Sequence, residues 1–144
     1  MTGAIDPSRE QFDRFKSLPR DEPIHMLNLV RLRDVAAYPQ GHPDHGKGLS
    51  GLDAYRAYGR TSAAVFKRVG GRQLWVGRPD AVVTGPADET WDLAFIAEYP
   101  SAAAFLEMVT DSGYREHVKH RQAAVLDSRL IRLKPFAPGE GFGE

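Results

Sequence analysis

Four polar side chains interrupt apolar stretches of this chain, and they are the first place to look for chemistry. Asn28 sits in the middle of the run IHMLNLVR. A buried amide must be hydrogen-bonded, either to neighbouring structure or to something bound. Glu98 lies near the end of TWDLAFIAEY. An apolar pocket would raise its pKa and make it a base near neutrality, whereas an arginine partner would lower it. His117 and Arg121 stand four apart on a helical face that also presents Tyr114 and Val118. A histidine so placed serves as a general base or a haem ligand, or pairs with Glu98 or Asp92 at the rim of a sheet. Glu98 and His117 are therefore the candidate catalytic residues. Asn28, Tyr58, Trp75, Tyr114 and Arg121 are the candidate ligand-binding residues, the aromatic ones to hold a ring.

The histidines also raise metal binding. His42, Asp44 and His45 share a glycine-rich stretch, and His117 and His120 are three apart on one helix. Neither group has a metalloenzyme spacing such as H-E-x-x-H, and a structural site needs four ligands. No metal ligand set is assigned and no cofactor is expected. The chain has no cysteine, which removes disulfides, thiolate nucleophiles and Cys-ligated metals. Lys plus Arg equals Asp plus Glu at 19 each, for a formal net charge of zero. That balance argues against nucleic acid or an anionic membrane surface as a partner. The first ten residues, MTGAIDPSRE, have neither a basic nor an apolar signal region, and no apolar run reaches membrane-spanning length, so the expectation is a cytoplasmic protein.

These groups must be positioned by a few elements. Residues 50–76 read as a capped helix, a Gly70-Gly71 break and a strand. Ser50 and Asp53 have the spacing of a reciprocal helix cap, Lys67 and Arg68 suit the negative end of the helix, and Gly70 supplies its left-handed close. Leu52, Tyr55, Tyr58, Val65, Phe66 and Val69 form its apolar stripe. Before it, Asp6 and Pro7 open a short helix to about residue 18, with Phe12, Phe15 and Leu18 on its inner face. Residues 24–31 form a strand with Met26, Asn28 and Val30 on one face and Leu27 and Leu29 on the other. Residues 33–49 lack periodicity and read as a long connection, of the kind that serves as a lid or binding loop. Residues 81–84 extend the second strand, 90–99 form the strongest strand, and Ser101 caps a helix interrupted at 111–113. That helix resumes over 114–124, the last strand covers 129–133, and a Gly- and Pro-rich tail follows from 135 to 144. In that tail Phe136 or Phe142 is expected to pack on a partner or over a pocket mouth.

The order, strand–helix–strand–strand–helix–strand behind one extra helix, is that of the α+β ferredoxin-like fold, in one domain of 144 residues with a core over about 23–134. Helices cover only one face of such a sheet. The strands here are apolar on both sides, since Trp91, Leu93 and Phe95 oppose Ala94 and Ile96, and Leu74 and Val76 oppose Trp75. A second copy of the chain, packed sheet to sheet, would cover the free face.

With Asn28-Leu29-Val30-Arg31, residues 55–58, Gly70-Gly71-Arg72, Ile96-Ala97-Glu98-Tyr99-Pro100-Ser101, Ser112-Gly113-Tyr114 and Arg121 taken in order, the chain resembles domain-of-unknown-function family 1330 over roughly residues 24–133. The resemblance implies a homodimeric α+β barrel in which two ferredoxin-like sheets face each other. It implies no settled activity, although the wider superfamily includes cofactor-free monooxygenases, haem-degrading enzymes and muconolactone isomerases. Two departures stand out: the connection over 33–49 is longer than the family's usual one, and Glu107-Met108-Val109-Thr110 replaces a common Trp-Tyr pair. Three functional readings follow. The chain is an enzyme doing proton transfer or cofactor-free oxygenation on a small apolar or aromatic compound, a small-ligand binding or sensing module using the same pocket, or a dimer with no ligand pocket.

Overall fold

The structure, a computed structural model, describes residues 3–141. Its elements are α1 (Arg9–Ser17), β1 (Ile24–Leu32), α2 (Gly51–Arg68), β2 (Arg72–Gly77), β3 (Leu93–Tyr99), α3 (Ala102–Thr110), α4 (Tyr114–Ala124) and β4 (Val125–Leu133). The four strands make one antiparallel sheet in the order β2-β3-β1-β4. This is the ferredoxin-like arrangement expected from the element order, with α1 added in front. None of the helices among the described residues is long and apolar enough to cross a membrane.

Local chemistry explains most of the boundaries. The Ser50 hydroxyl accepts from the Asp53 amide at 2.9 Å, and the Asp53 carboxylate accepts from the Ser50 amide at 3.1 Å, so α2 starts on a reciprocal cap. Gly70 closes it at φ +88°, in the left-handed region. Ser101 caps α3 by accepting from the Ala104 amide. The chain then breaks over residues 111–113 before α4, as the sequence predicts.

Several boundaries differ from expectation. Ser8, not Asp6, caps α1, because its hydroxyl accepts from the Gln11 amide and Pro7 stays outside the helix. Residues 81–84 form no strand, and β3 begins at Leu93. Trp91, left outside β3, lies under the Arg129 guanidinium at 5.1 Å. β4 starts at Val125, directly at the end of α4. Leu52 is 45% exposed, while Ala54 and Ser62 are buried in its place, so the buried stripe of α2 is rotated from the one read off large side chains. In the tail, Phe136 is exposed, and Phe142 lies outside the described residues.

All four helices lie on one side of the sheet, the side that carries Ile24, Met26, Asn28 and Val30 of β1 and Leu93, Phe95, Ala97 and Tyr99 of β3. The buried core there falls into two clusters. One gathers Ile24, Met26, Val65, Ala97, Tyr99, Phe105, Met108 and Tyr114. The other gathers Val30, Tyr38, Ala54, Ala123, Ala124 and Val125. Asn28 lies on β1 between Met26 of the first and Val30 of the second, and Phe95, its partner across the ladder, touches both. The core parts where the polar residue stands.

Candidate functional site

At that parting lies a cavity of about 1150 Å³ between the sheet and the helices. Its floor is the helix-facing side of β1, β3 and β4, including Asn28, Phe95, Leu130 and Arg132, which share a face by register. Its roof is α2 and α4, through Tyr55, Tyr58, Ser62, Tyr114, Val118 and Arg121. α1 and the residue that follows it make the outer wall, through Phe12, Phe15 and Leu18. Arg132 ties this wall down: its guanidinium donates to the Phe15 and Pro19 carbonyls and lies 4.9 Å from the centre of the Phe15 ring.

The polar groups in the cavity are few and fixed. Asn28 Nδ2 donates to the Met26 carbonyl at 3.0 Å, which holds the amide in place and leaves its oxygen as an acceptor. The Tyr58 and Tyr114 hydroxyls hydrogen-bond each other at 2.6 Å. Arg121 donates to the Ile5 carbonyl and, at 3.2 Å, to the Ser128 hydroxyl. Ser128 in turn donates to the Ala4 carbonyl at 2.7 Å. Burial pushes the Tyr114 phenol well above its ordinary pKa, reinforced by Tyr58, and does the same to Tyr55. Phenolates of Tyr55 and Tyr114 are therefore out of reach near neutrality.

Of the residues singled out from sequence, the structure brings Asn28, Tyr58, Tyr114 and Arg121 together around this cavity. It does not bring Glu98, His117 or Trp75 to it. Strand parity explains two of these. Glu98 alternates with Phe95 and Ala97 and so falls on the opposite face of β3. There its carboxylate accepts from Arg72 Nε at 2.6 Å and lies 3.3 Å from His25 Nε2. The Arg72 hydrogen bond, above all, holds Glu98 below the usual carboxylate range. The arginine partner of Glu98 is Arg72, and Arg121 is on the other side of the sheet. Trp75 faces the same way as Glu98 because a bulge between Gln73 and Trp75 sets its register opposite Ile96, and it is 47% exposed. His117 packs edge-on to the Tyr114 ring with its Nε2 towards Gly113, at the outer end of α4.

Sequence reading assigned Tyr55 and Phe15 to apolar stripes and passed over Arg132 and Ser128. The missed signal was parity in β4, where Ser128, Leu130 and Arg132 alternate onto one face.

The histidines regroup as well. His42 and Asp44 meet His120 of α4, not His45, with ligand-capable atoms all within 4.8 Å of one another. His45 instead bonds the Tyr38 carbonyl through Nδ1. Burial, with help from His42, holds the His120 imidazole below its ordinary pKa. Tyr38 Oη lies 2.6 Å from His120 Nδ1.

Comparison with known proteins places this geometry in a family. A crystal structure of methylated RPA0582 protein is 58% identical over 97% of this chain and 100% of that one, with a TM-score of 0.89. A second structure, of the RPA0582 protein of unknown function from Rhodopseudomonas palustris, is also 58% identical, over 95% of this chain and 100% of that one, at 0.86. A putative antibiotic biosynthesis monooxygenase from Bacteriodes thetaiotaomicron is 15% identical over 82% of this chain and 93% of that one, at 0.51, and shows the shared fold alone. No curated protein matches the sequence. The family match covers residues 50–132, narrower than the stretch that carries the sequence resemblance because it leaves out β1 and the connection after it. By that match the chain belongs to the family described as Domain of unknown function (DUF1330).

Proposed function

We propose that the chain is a binding module for a small aromatic anion, held in the cavity between sheet and helices. The observation that carries this reading is the way the cavity combines aromatic walls with positive charge that no ion pair neutralises inside it. Arg121 and Arg132 both line it, and both donate to backbone carbonyls or a hydroxyl, not to a carboxylate. Each guanidinium has five donors, so both keep N–H groups for a ligand. Tyr55, Tyr58, Phe12, Phe15 and Phe95 offer faces and edges for a ring. The only carboxylate among the lining residues is Asp6, at the α1 end. A half-buried guanidinium whose partners are neutral gains from an anion.

Among the described residues no histidine lines the cavity, and its buried tyrosines are held as phenols, which favours binding over proton abstraction by the protein. Calorimetric titration with 1-naphthoate and with neutral 1-naphthalenemethanol tests the idea. The carboxylate should bind more tightly by tenfold or so, an amount worth about 1.4 kcal/mol, and Arg121→Met should erase that preference. Equal affinity for the two, or a preference untouched by Arg121→Met and by Arg132→Met, would refute the anion reading.

The module works as a homodimer. The sheet face away from the helices carries Leu27, Leu29, Ile96, Trp75 and Ile131, and Trp75 and Ile131 are each more than two-fifths exposed. A contiguous apolar sheet face of this kind calls for a cover. A second copy of the same face supplies one by two-fold symmetry. Such pairing also matches what the family resemblance implies.

A further inference from the structure

His42, Asp44 and His120 meet although they come from distant parts of the chain. Backbone pairing sets up the meeting. The amides of Arg33 and Ala37 donate to the carbonyls of Ala124 and Ala123, both at 2.8 Å, and this lays the 33–49 connection along the C-terminal end of α4. Tyr38 is thereby buried against His120, and His42 stacks on the Tyr38 ring at 4.5 Å. His42 meets His120 edge-on at 5.6 Å. All three prospective ligands are half-buried, and Asp44 borders a second cavity of about 460 Å³ that Arg56 and Arg60 also line.

We infer that His42, Asp44 and His120 form a binding site for a divalent transition-metal cation such as zinc, with an open position for a fourth ligand. Two imidazoles and a carboxylate are a suitable donor set, and three protein ligands leave tetrahedral zinc one vacancy. Metal–ligand bonds of about 2.0–2.2 Å put tetrahedral donors roughly 3.3 Å apart, so atoms now within 4.8 Å need only a small closure of a surface connection. The tautomers fit. His120 has Nδ1 engaged with the Tyr38 hydroxyl, which leaves Nε2 to ligate and gives the ring the orienting partner that metal-bound histidines use. The Asp44 carboxylate holds Lys47 Nζ at 3.1 Å, and because the lysine end is exposed the pair is weak enough for the metal to displace. The neighbouring Arg56 and Arg60 suit an anionic fourth ligand.

His42 supplies a signature for the bound state. The Asp44 amide donates to its Nδ1 at 3.0 Å. If His42 ligates through Nδ1, that acceptor is occupied; if it ligates through Nε2, the ring proton moves to Nδ1. Either way the Asp44 amide loses its partner. Zinc titration of the full chain, free of any affinity tag, should therefore show one cation per chain by calorimetry and a shift of the Asp44 amide in the ¹⁵N spectrum. Cobalt(II) should give the visible absorption of a tetrahedral site. His42→Ala, Asp44→Asn and His120→Ala should each weaken binding by tenfold or more, Lys47→Ala should strengthen it, and His117→Ala, one turn away, should leave it unchanged. Should His120→Ala unfold the chain, His42→Ala and Asp44→Asn still decide the matter, since both lie on a surface connection. No zinc uptake by the wild-type chain, uptake that survives His42→Ala and Asp44→Asn, or uptake with no change at the Asp44 amide would overturn the assignment.

Discussion

The hydroxyl pair of Tyr58 and Tyr114 offers a clean perturbation of the cavity, because Phe keeps the ring and removes only the hydrogen bond. The two oxygens are 2.6 Å apart, and Tyr114 is 8% exposed, so its hydroxyl has little access to water once its partner is gone. Tyr58→Phe should cost about 1–3 kcal/mol, the range for a buried polar group left unsatisfied. Tyr114→Phe should cost less, near the 0.5–1.5 kcal/mol of an ordinary net hydrogen bond, because Tyr58 is more exposed and its hydroxyl can turn to solvent. The double variant removes both polar groups and should lose no more than the worse single one. The cycle therefore predicts a coupling energy at least as large as the smaller single loss, about 0.5–1.5 kcal/mol, between the two sites. For a chain near this length, each kcal/mol moves the melting temperature by roughly 3 °C. Urea denaturation of the four proteins, read by far-UV circular dichroism, gives the cycle directly. Strictly additive losses would mean that the hydroxyls do not depend on each other, and the description of the cavity roof would be wrong.

Other consequences follow from single contacts. Gly51→Ala should destabilise the chain by several kcal/mol although alanine is the better helix former: a Cβ there would lie 2.1 Å from the Arg33 carbonyl oxygen, which also accepts from the Gly51 amide. A melting temperature equal to or above wild type would show that the connection and α2 are not packed as described. Because Glu98 has a lower pKa folded than unfolded, its contribution is full above the ordinary value near 4.5 and is lost as pH falls through the folded one. Glu98→Gln should thus lower stability at neutral pH and make the acid limb of stability against pH shallower, and an unchanged limb would contradict the Arg72 pairing. Sedimentation at micromolar concentration should give twice the 16.0 kDa chain mass, and Ile131→Glu on the open sheet face should give the single mass. A wild-type chain that stays monomeric, or a variant that still dimerises, would remove the sheet-to-sheet arrangement.

Much of the fold was legible because its signals are local. Ser50 with Asp53, Gly70 and the break at 111–113 are short-range chemistry, and alternation in IHMLNLVR places Asn28 on one face with Met26 and Val30, the face the structure shows to lie under the helices. Asn28 was also the best pointer to the cavity, since a lone amide on an apolar face marks the place where the core parts into two. The failures came where position in space decides. Glu98 has the right residue type and partial burial, but parity puts it behind the sheet. Trp75 follows a bulge that no local pattern announces. Ala54 and Ser62 take buried places on α2 because α4 packs close to it, and close packing favours small side chains over a Leu52 that points outward. His120 joins His42 and Asp44 only through the pairing of residues 33 and 37 with the end of α4, a contact across more than eighty residues of chain.

The claim that the cavity holds an aromatic anion has a direct spectroscopic test in the methionines. The chain has three, and Met26 and Met108 line the cavity on the sheet and on α3. With methionine methyls labelled in ¹³C, bound 1-naphthoate should shift both signals through its ring current and give nuclear Overhauser contacts to both methyls. Those contacts should weaken in Arg121→Met, once the new methyl is assigned. Naphthoate that leaves the Met26 and Met108 methyls unmoved, and that contacts only the Trp75 indole on the opposite face of the sheet, would contradict the account.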